Sequence, residues 1–179
     1  MKKDLNKVFK YCEETGSIVW LERPRECFST DQVFSRYVKT LFNKEAGHLD
    51  NKGYIRINFN GKRYQAHRLA WFLSKGVWPN NEIDHINGIK TDNRLINLRE
   101  VSTKENSRNK PKSKRNISGV VGVSLHNKTG KWRSEIRVDG VLHYLGLFKN
   151  KQEAIKARKD AEKLYGFHEN HGRELINGN

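Results

Sequence analysis

"EIDHINGIKTDNRLINLREVSTKEN", residues 82–106, sets a carboxylate beside an imidazole at Asp84-His85 and follows them with Asn97 and Asn106. On a short strand such as "EIDHI", neighbouring side chains point to opposite faces. Asp84 and His85 therefore serve one substrate together only if the backbone bends at the strand end, ahead of "NG". Asp84 and the carboxamide oxygen of Asn106 are hard donors. They suit Mg²⁺, which keeps several waters and takes one or two protein groups besides substrate phosphate oxygens. Ser102 or Thr103 carries helix-start chemistry, so a helix there can aim Asn106 back at the strand. An imidazole with an ordinary pKa of about 6.5 is the natural acceptor of a proton from water near neutral pH. That makes His85 the candidate base. Asn97 is the candidate to fix the loop or to hold the imidazole with its proton on the right nitrogen.

Three plainer readings compete. "NGIKTDN" is built of common turn formers and reads equally as a polar turn. A calcium loop counted back from Gly88 places Ile83 at the first ligand position, where the acidic spacing fails. A zinc site lacks thiolates and closely paired histidines.

Immediately upstream, "GYIRINFNGKRYQAHRLAWFLSKG" predicts two strands around a tight Asn60-Gly61 turn, then a helix. Leu69, Trp71 and Phe72 give that helix an apolar side, His67 sits near its start, and Gly76 stops it. The first fifty residues predict a short helix in "DLNKVFKYCE" and a strand in "GSIVWL". The segment "DQVFSRYVKTLF" is ambiguous, with helix one option. No chemistry is assigned there.

Downstream, "SRNKPKSKRNISG" gathers Lys110, Lys112, Lys114 and Arg115 around Pro111 with no acidic residue between, a linker composition. Beyond it, "GVVGVSLHNKTGKWRSEIRVDGVLHYLGLF" predicts three strands with turns at Thr129-Gly130 and Asp139-Gly140. In "KQEAIKARKDAEKLYG", Ala154, Ala157, Ala161 and Leu164 recur at helical steps, predicting a helix whose narrow face lies on that sheet. The strand period of two puts Lys131, Arg133, Glu135 and Arg137 on one face and Trp132, Ser134, Ile136 and Val138 on the other. Tyr144 extends the polar face from the next strand. Such a ribbon fits the major groove, where Arg pairs with guanine and Glu accepts from cytosine; the competing reading is a merely solvated face.

The 179 residues carry a formal net charge of +15 and a sequence pI near 9.9, which points to a polyanionic partner. No run approaches the roughly 18 apolar residues of a spanning helix, so a membrane is the weaker choice. "MKKDLNKVFKYCEETG" lacks an apolar signal core, and the expected location is the cytoplasm. Cys12 and Cys27, the only cysteines, are expected to be packing residues rather than a disulfide. Of the seven histidines, His85 alone is a catalytic candidate. His67 is expected to hold structure, and His126 and His143 to touch DNA or cap turns. The four tryptophans are expected in cores.

The stretch "HRLAWFLSKGVWPNNEIDHINGIKTDNRLINLREVSTKENSRN" resembles the HNH endonucleases of bacteriophages and mobile introns, whose ββα-metal motif runs D-H, then N, then a final H or N. Here these are Asp84-His85, Asn97 and Asn106. The likeness is strong over residues 50 to 110 and looser through "GSIVW" and "AGHLDNKGY". The final Asn, as in the phage intron-encoded branch, favours Mg²⁺ or Mn²⁺ over zinc. The resemblance implies that His85 activates water and that Asp84 and Asn106 hold one divalent ion per active site against the scissile phosphate. It implies that Asn97 orients the loop or the base. The products would carry 5′-phosphate and 3′-hydroxyl ends.

Residues 118 to 166 are similar to the plant ethylene-response-factor (AP-two) DNA-binding domain. That resemblance places Lys131, Glu135, Arg137 and Tyr144 where the family contacts DNA. Val121, Ser124 and Leu142 stand where the plant domains have arginines, so no target sequence carries over. The basic linker is expected to lie along the duplex.

The expected fold class is α+β, a ββα-metal HNH module followed by a three-stranded antiparallel sheet packed on one helix. The expected domains are 1–109 (motif core 66–109), a linker 110–117, the sheet module 118–170 and a tail 171–179. The expected activity is site-specific, homing-type cleavage of double-stranded DNA by a monomer or weak dimer, without a small-molecule cofactor. Its rivals are a non-catalytic DNA-binding regulator and, more weakly, an RNA-directed nuclease.

Overall fold

The computed structural model describes residues 5–107, 112, 116–169 and 171–172. The chain divides into two compact units, one running to Glu100 and the other starting at Val101.

In the first unit, Phe9–Tyr11 (β1) and Ile18–Trp20 (β2) form an antiparallel hairpin pairing Phe9 with Trp20 and Tyr11 with Ile18. The helix expected over residues 4–13 is therefore replaced by a single turn at Leu5–Lys7 followed by a strand. Tertiary packing overrides the local helical pattern. Phe9 is 2% exposed and its ring lies 4.6 Å from Trp20 and 5.6 Å from Phe59, and aromatic pairs of this kind add to the burial of their area. The ambiguous segment is a helix, Asp31–Thr40 (α1), whose cap residue Thr30 accepts the amide of Val33.

His48–Leu49 (β3), Ile55–Phe59 (β4) and Lys62–Gln65 (β5) form one sheet in that order. Asn60 and Gly61 take φ of 49° and 72° at the β4–β5 turn, as the paired left-handed angles of a two-residue hairpin require. Helix Ala66–Lys75 (α2) follows at once and ends on Gly76. Leu69 and Ala70 are fully buried against the sheet. Trp20 is buried and Trp71, Trp78 and Trp132 are half-buried. Cys12 is half-buried and Cys27 exposed, both as free thiols, so Cys27 does not pack as expected. Glu82–His85 (β6) and Leu98–Val101 (β7) make a two-stranded sheet.

The second unit opens with the short helix Thr103–Ser107 (α3). Ser102 and Glu105 cap it reciprocally: the Ser102 amide donates to Glu105 Oε2 at 2.8 Å and the Glu105 amide to Ser102 Oγ at 3.2 Å, a capping box. Val123–His126 (β8), Lys131–Val138 (β9) and Val141–Phe148 (β10) form an antiparallel sheet with β9 central, and Lys151–Leu164 (α4) packs on it. Ser134 and Ile136 face the helix, 0% and 1% exposed. Ala154 and Ala161 are buried as expected, but Leu164 is 79% exposed. Arg158 and Glu162 take the inner positions instead. The Arg158 guanidinium donates to the Glu135 carbonyl at 2.7 Å and to Glu162 Oε1 at 2.9 Å. A buried cation paired and hydrogen-bonded in this way escapes the cost of lone burial. Gly122 (φ 78°) lets β8 approach β9, since a Cβ there would lie 2.2 Å from the Glu135 oxygen. Among the described residues no helix is long and apolar enough to cross a membrane.

Candidate active site

Strand β6 delivers Asp84 and His85 to its own C-terminal end, where the chain turns through Gly88, whose amide donates to the His85 carbonyl at 2.9 Å. Both side chains are buried, 9% and 4% exposed. The simple in-out alternation of a strand is thus lost.

Asp84 meets a cation. Arg99, on β7, places Nη2 2.8 Å and Nε 3.1 Å from Asp84 Oδ2. A buried carboxylate needs such compensation, and a metal ion at Asp84 would take over part of the charge balance that Arg99 supplies. The donor set fits a divalent ion in kind: Asp84 supplies a hard oxygen in a buried setting. Among the described residues no cluster of three or more His, Cys, Asp or Glu side chains forms a metal site.

His85 is held on two sides. Its Nε2 lies 3.2 Å from Asn93 Oδ1. His67, from the first turn of α2, sets its ring edge-on to His85 with centroids 5.1 Å apart, and Tyr54 lies 5.4 Å from the His67 ring and 6.0 Å from that of His85. Burial lowers the His85 pKa from its ordinary value, opposed by the hydrogen bond to Asn93 and the charge of Asp84. Burial, with His85 and Arg68 nearby, takes His67 down to about 3. His67 Nδ1 is buried with no hydrogen-bond partner. Both rings are therefore neutral at pH 7, the state in which an imidazole can accept a proton.

Asn97 closes the loop between the strands. Its Oδ1 accepts the Asn87 amide at 2.9 Å and its Nδ2 donates to the Asp92 carbonyl at 2.9 Å, while its own carbonyl accepts the Ile86 amide. Asp92 also takes Asn87 Nδ2 at 2.8 Å and the Arg94 guanidinium at 2.7 Å. The Arg94 hydrogen bond brings the Asp92 carboxyl down to about 2. The carboxamide on the imidazole is Asn93, in the loop ahead of the turn that carries Asn97. Asn93 and Arg99 went unread in the sequence. Nothing local separates Asn93 from the other turn formers, whereas a cation on the strand paired with Asp84's is a signal that charge balance could have found.

Asn106 sits half-buried on α3, in the second unit, its amide donating to the Ser102 carbonyl at 2.9 Å. In that unit, antiparallel register sets Tyr144 opposite Glu135 and Leu142 opposite Arg137, so Lys131, Arg133, Glu135, Arg137 and Tyr144 share one face. Arg133 and Glu135 pair at 3.4 Å, and Tyr144 is 59% exposed. Lys112 is half-buried. Lys110, Lys114 and Arg115 lie outside the described residues.

Residues 64–108, spanning β5 to α3, match the family model described as HNH endonuclease. Over 83 residues the chain is 35% identical to protein 3.8 of Escherichia phage T7, covering 46% of this chain and 69% of that protein. The chain belongs to the HNH endonuclease family. A solved structure, described as DNA binding and cleavage by the HNH homing endonuclease I-HmuI, is 20% identical and aligns over 96% of this chain and 94% of that one with a TM-score of 0.38. At that overlap residue positions do not transfer.

Proposed function

We propose that the protein is a divalent-metal-dependent DNA endonuclease of the homing type, with His85 as general base. The observation that carries this reading is the buried His85 imidazole, with Nε2 3.2 Å from a carboxamide oxygen and next in sequence to a buried carboxylate. Family membership supplies the reaction class. The charge of +15 supplies affinity for a polyanionic duplex.

His85 Nδ1 takes a proton from water, the hydroxide oxygen bonds to phosphorus, and the bond from phosphorus to the 3′ oxygen breaks; the departing oxygen takes a proton from solvent and His85 returns its own to solvent, leaving 5′-phosphate and 3′-hydroxyl ends. No protein nucleophile is required. Asp84 and, by its place in the motif, Asn106 would hold one Mg²⁺ or Mn²⁺ ion. When bound, such an ion stabilises charge on the phosphate and on the leaving oxygen. Asn97 holds the loop that carries these groups. The exposed face with Lys131, Arg133, Glu135, Arg137 and Tyr144 binds the target duplex in the manner of an AP-two-like domain, with the linker lysines and Arg115 along the backbone.

The test is cleavage of phage and host genomic DNA by wild-type and His85→Ala protein, in Mg²⁺ and in EDTA, with ends mapped by sequencing. Discrete Mg²⁺-dependent breaks, lost in the variant, are expected. Tight, salt-sensitive duplex binding by both proteins without breaks would instead describe a non-catalytic regulator.

A further inference from the structure

We propose that Asn93 is the positioning residue that sets the tautomer of His85, and that the N-terminal β1–β2 hairpin is the element that aims it. This rests on the reading of His85 as the base.

A neutral imidazole has one N–H and one lone pair, and the partner of either nitrogen decides which is which. An amide oxygen only accepts. Asn93 Oδ1 at 3.2 Å therefore calls for the proton on Nε2, which leaves the lone pair on Nδ1, where a base needs it. Turning the same amide over would present its NH₂, draw the proton to Nδ1 and disable the base. The orientation of one carboxamide thus decides whether His85 can work.

The main chain that carries this carboxamide is held by the N-terminal hairpin. Asn93 is 2% exposed. Its backbone carbonyl accepts the Tyr11 hydroxyl at 2.9 Å, a contact across 82 residues of sequence. Gly16, at φ 75° in the hairpin turn, lies flat against the same peptide: a Cβ there would stand 2.5 Å from the Arg94 nitrogen, 2.7 Å from the Asn93 carbonyl carbon and 3.1 Å from the Asn93 nitrogen. Backbone atoms at those distances leave no room for a side chain. The preceding residue is pinned by Asn87, Asn97 and Arg94. The hairpin thus reaches the catalytic loop at the residue whose carboxamide meets the imidazole nitrogen, which gives the N-terminal segment a task in the chemistry.

The test uses full-length protein with ¹⁵N-labelled histidine and long-range ¹H–¹⁵N correlation of the His85 ring, beside steady-state cleavage kinetics. Wild type is expected to hold the proton on Nε2. Asn93→Ala is expected to mix the tautomers and to lower kcat on the order of 10- to 100-fold, with KM changed less than about twofold. Asn93→Asp, which keeps an acceptor of the same shape, is expected to restore the Nε2–H form. Tyr11→Phe is expected to shift the tautomer ratio in the direction of Asn93→Ala by a smaller amount. An Nδ1–H tautomer in wild type, or a tautomer and rate unmoved in a folded Asn93→Ala, would overturn the proposal. If Asn93→Ala does not fold, the wild-type tautomer and the Asp variant decide alone. A His85→Ala protein that still cleaves at the wild-type rate would sink the base reading instead, and the ring spectrum, which needs no cleavage, would still answer for Asn93.

Discussion

Arg99 closes on Asp84, with Nη2 2.8 Å and Nε 3.1 Å from the same carboxylate oxygen. A buried acid in a strand is thereby balanced by a cation from the strand beside it. Arg99→Met removes that guanidinium while keeping much of its apolar stem, and the expected loss is about 2 kcal/mol, because a mostly buried carboxylate loses a charged partner. Thermal unfolding should show a smaller loss in millimolar Mg²⁺ than in EDTA, since a bound ion stabilises the folded state in proportion to its occupancy. Equal losses in the two buffers would take Asp84 out of the metal assignment.

Folded His67 stays neutral to about pH 3, whereas the unfolded side chain protonates near its ordinary 6.5. Between these values the unfolded state binds the extra proton, so stability falls as pH drops from 6.5 toward 3, by up to about 1.4 kcal/mol per pH unit for this group. His85 shifts the same way. Chemical denaturation at pH 7.5 and 5 should therefore show a loss that His67→Phe reduces but does not abolish. An unchanged slope in the variant would contradict the burial argument.

Gly122→Ala asks for a Cβ 2.2 Å from the Glu135 oxygen and 2.6 Å from an Arg158 nitrogen, at a φ of 78°. Both the backbone angle and the contact oppose it, each at about 1–3 kcal/mol. Hydrogen exchange should show protection lost across β8, β9 and α4, while β4, β5 and α2 keep theirs.

The exposed face of β9 predicts a salt signature. Lys131 and Arg137 are both exposed, and each phosphate they neutralise contributes about 0.9 to the slope of log K against log salt. Duplex binding by Lys131→Ala/Arg137→Ala should be weaker at low salt and show a slope smaller by about 2. A slope equal to that of wild type would move the duplex off this face.

Much of the fold was legible because its signals are local. Asn60-Gly61 admits a tight hairpin, Gly76 ends a helix, Ser102 or Thr103 begins one, and alternation along "KWRSEIRV" separates the core face of β9 from its polar face. The reading of residues 4–13 as a helix failed for the opposite reason. Whether Phe9 lies on a helix or a strand depends on Trp20 and Phe59, its partners in space, and no window around Phe9 contains both. Leu164 was misplaced likewise, because the face of α4 that turns inward is chosen by the Arg158 contact with the Glu135 carbonyl on β9.

The sequence by itself carried the HNH resemblance, through Asp84-His85 with Asn97 and Asn106, and a charge of +15 that points to a polyanionic partner. Only the tertiary structure decided which carboxamide faces the imidazole and which cation balances Asp84. Asn87, Asn93 and Asn97 are chemically identical side chains within one loop, and what distinguishes them is the hydrogen bond each can reach once the N-terminal hairpin has pressed Asn93 against His85.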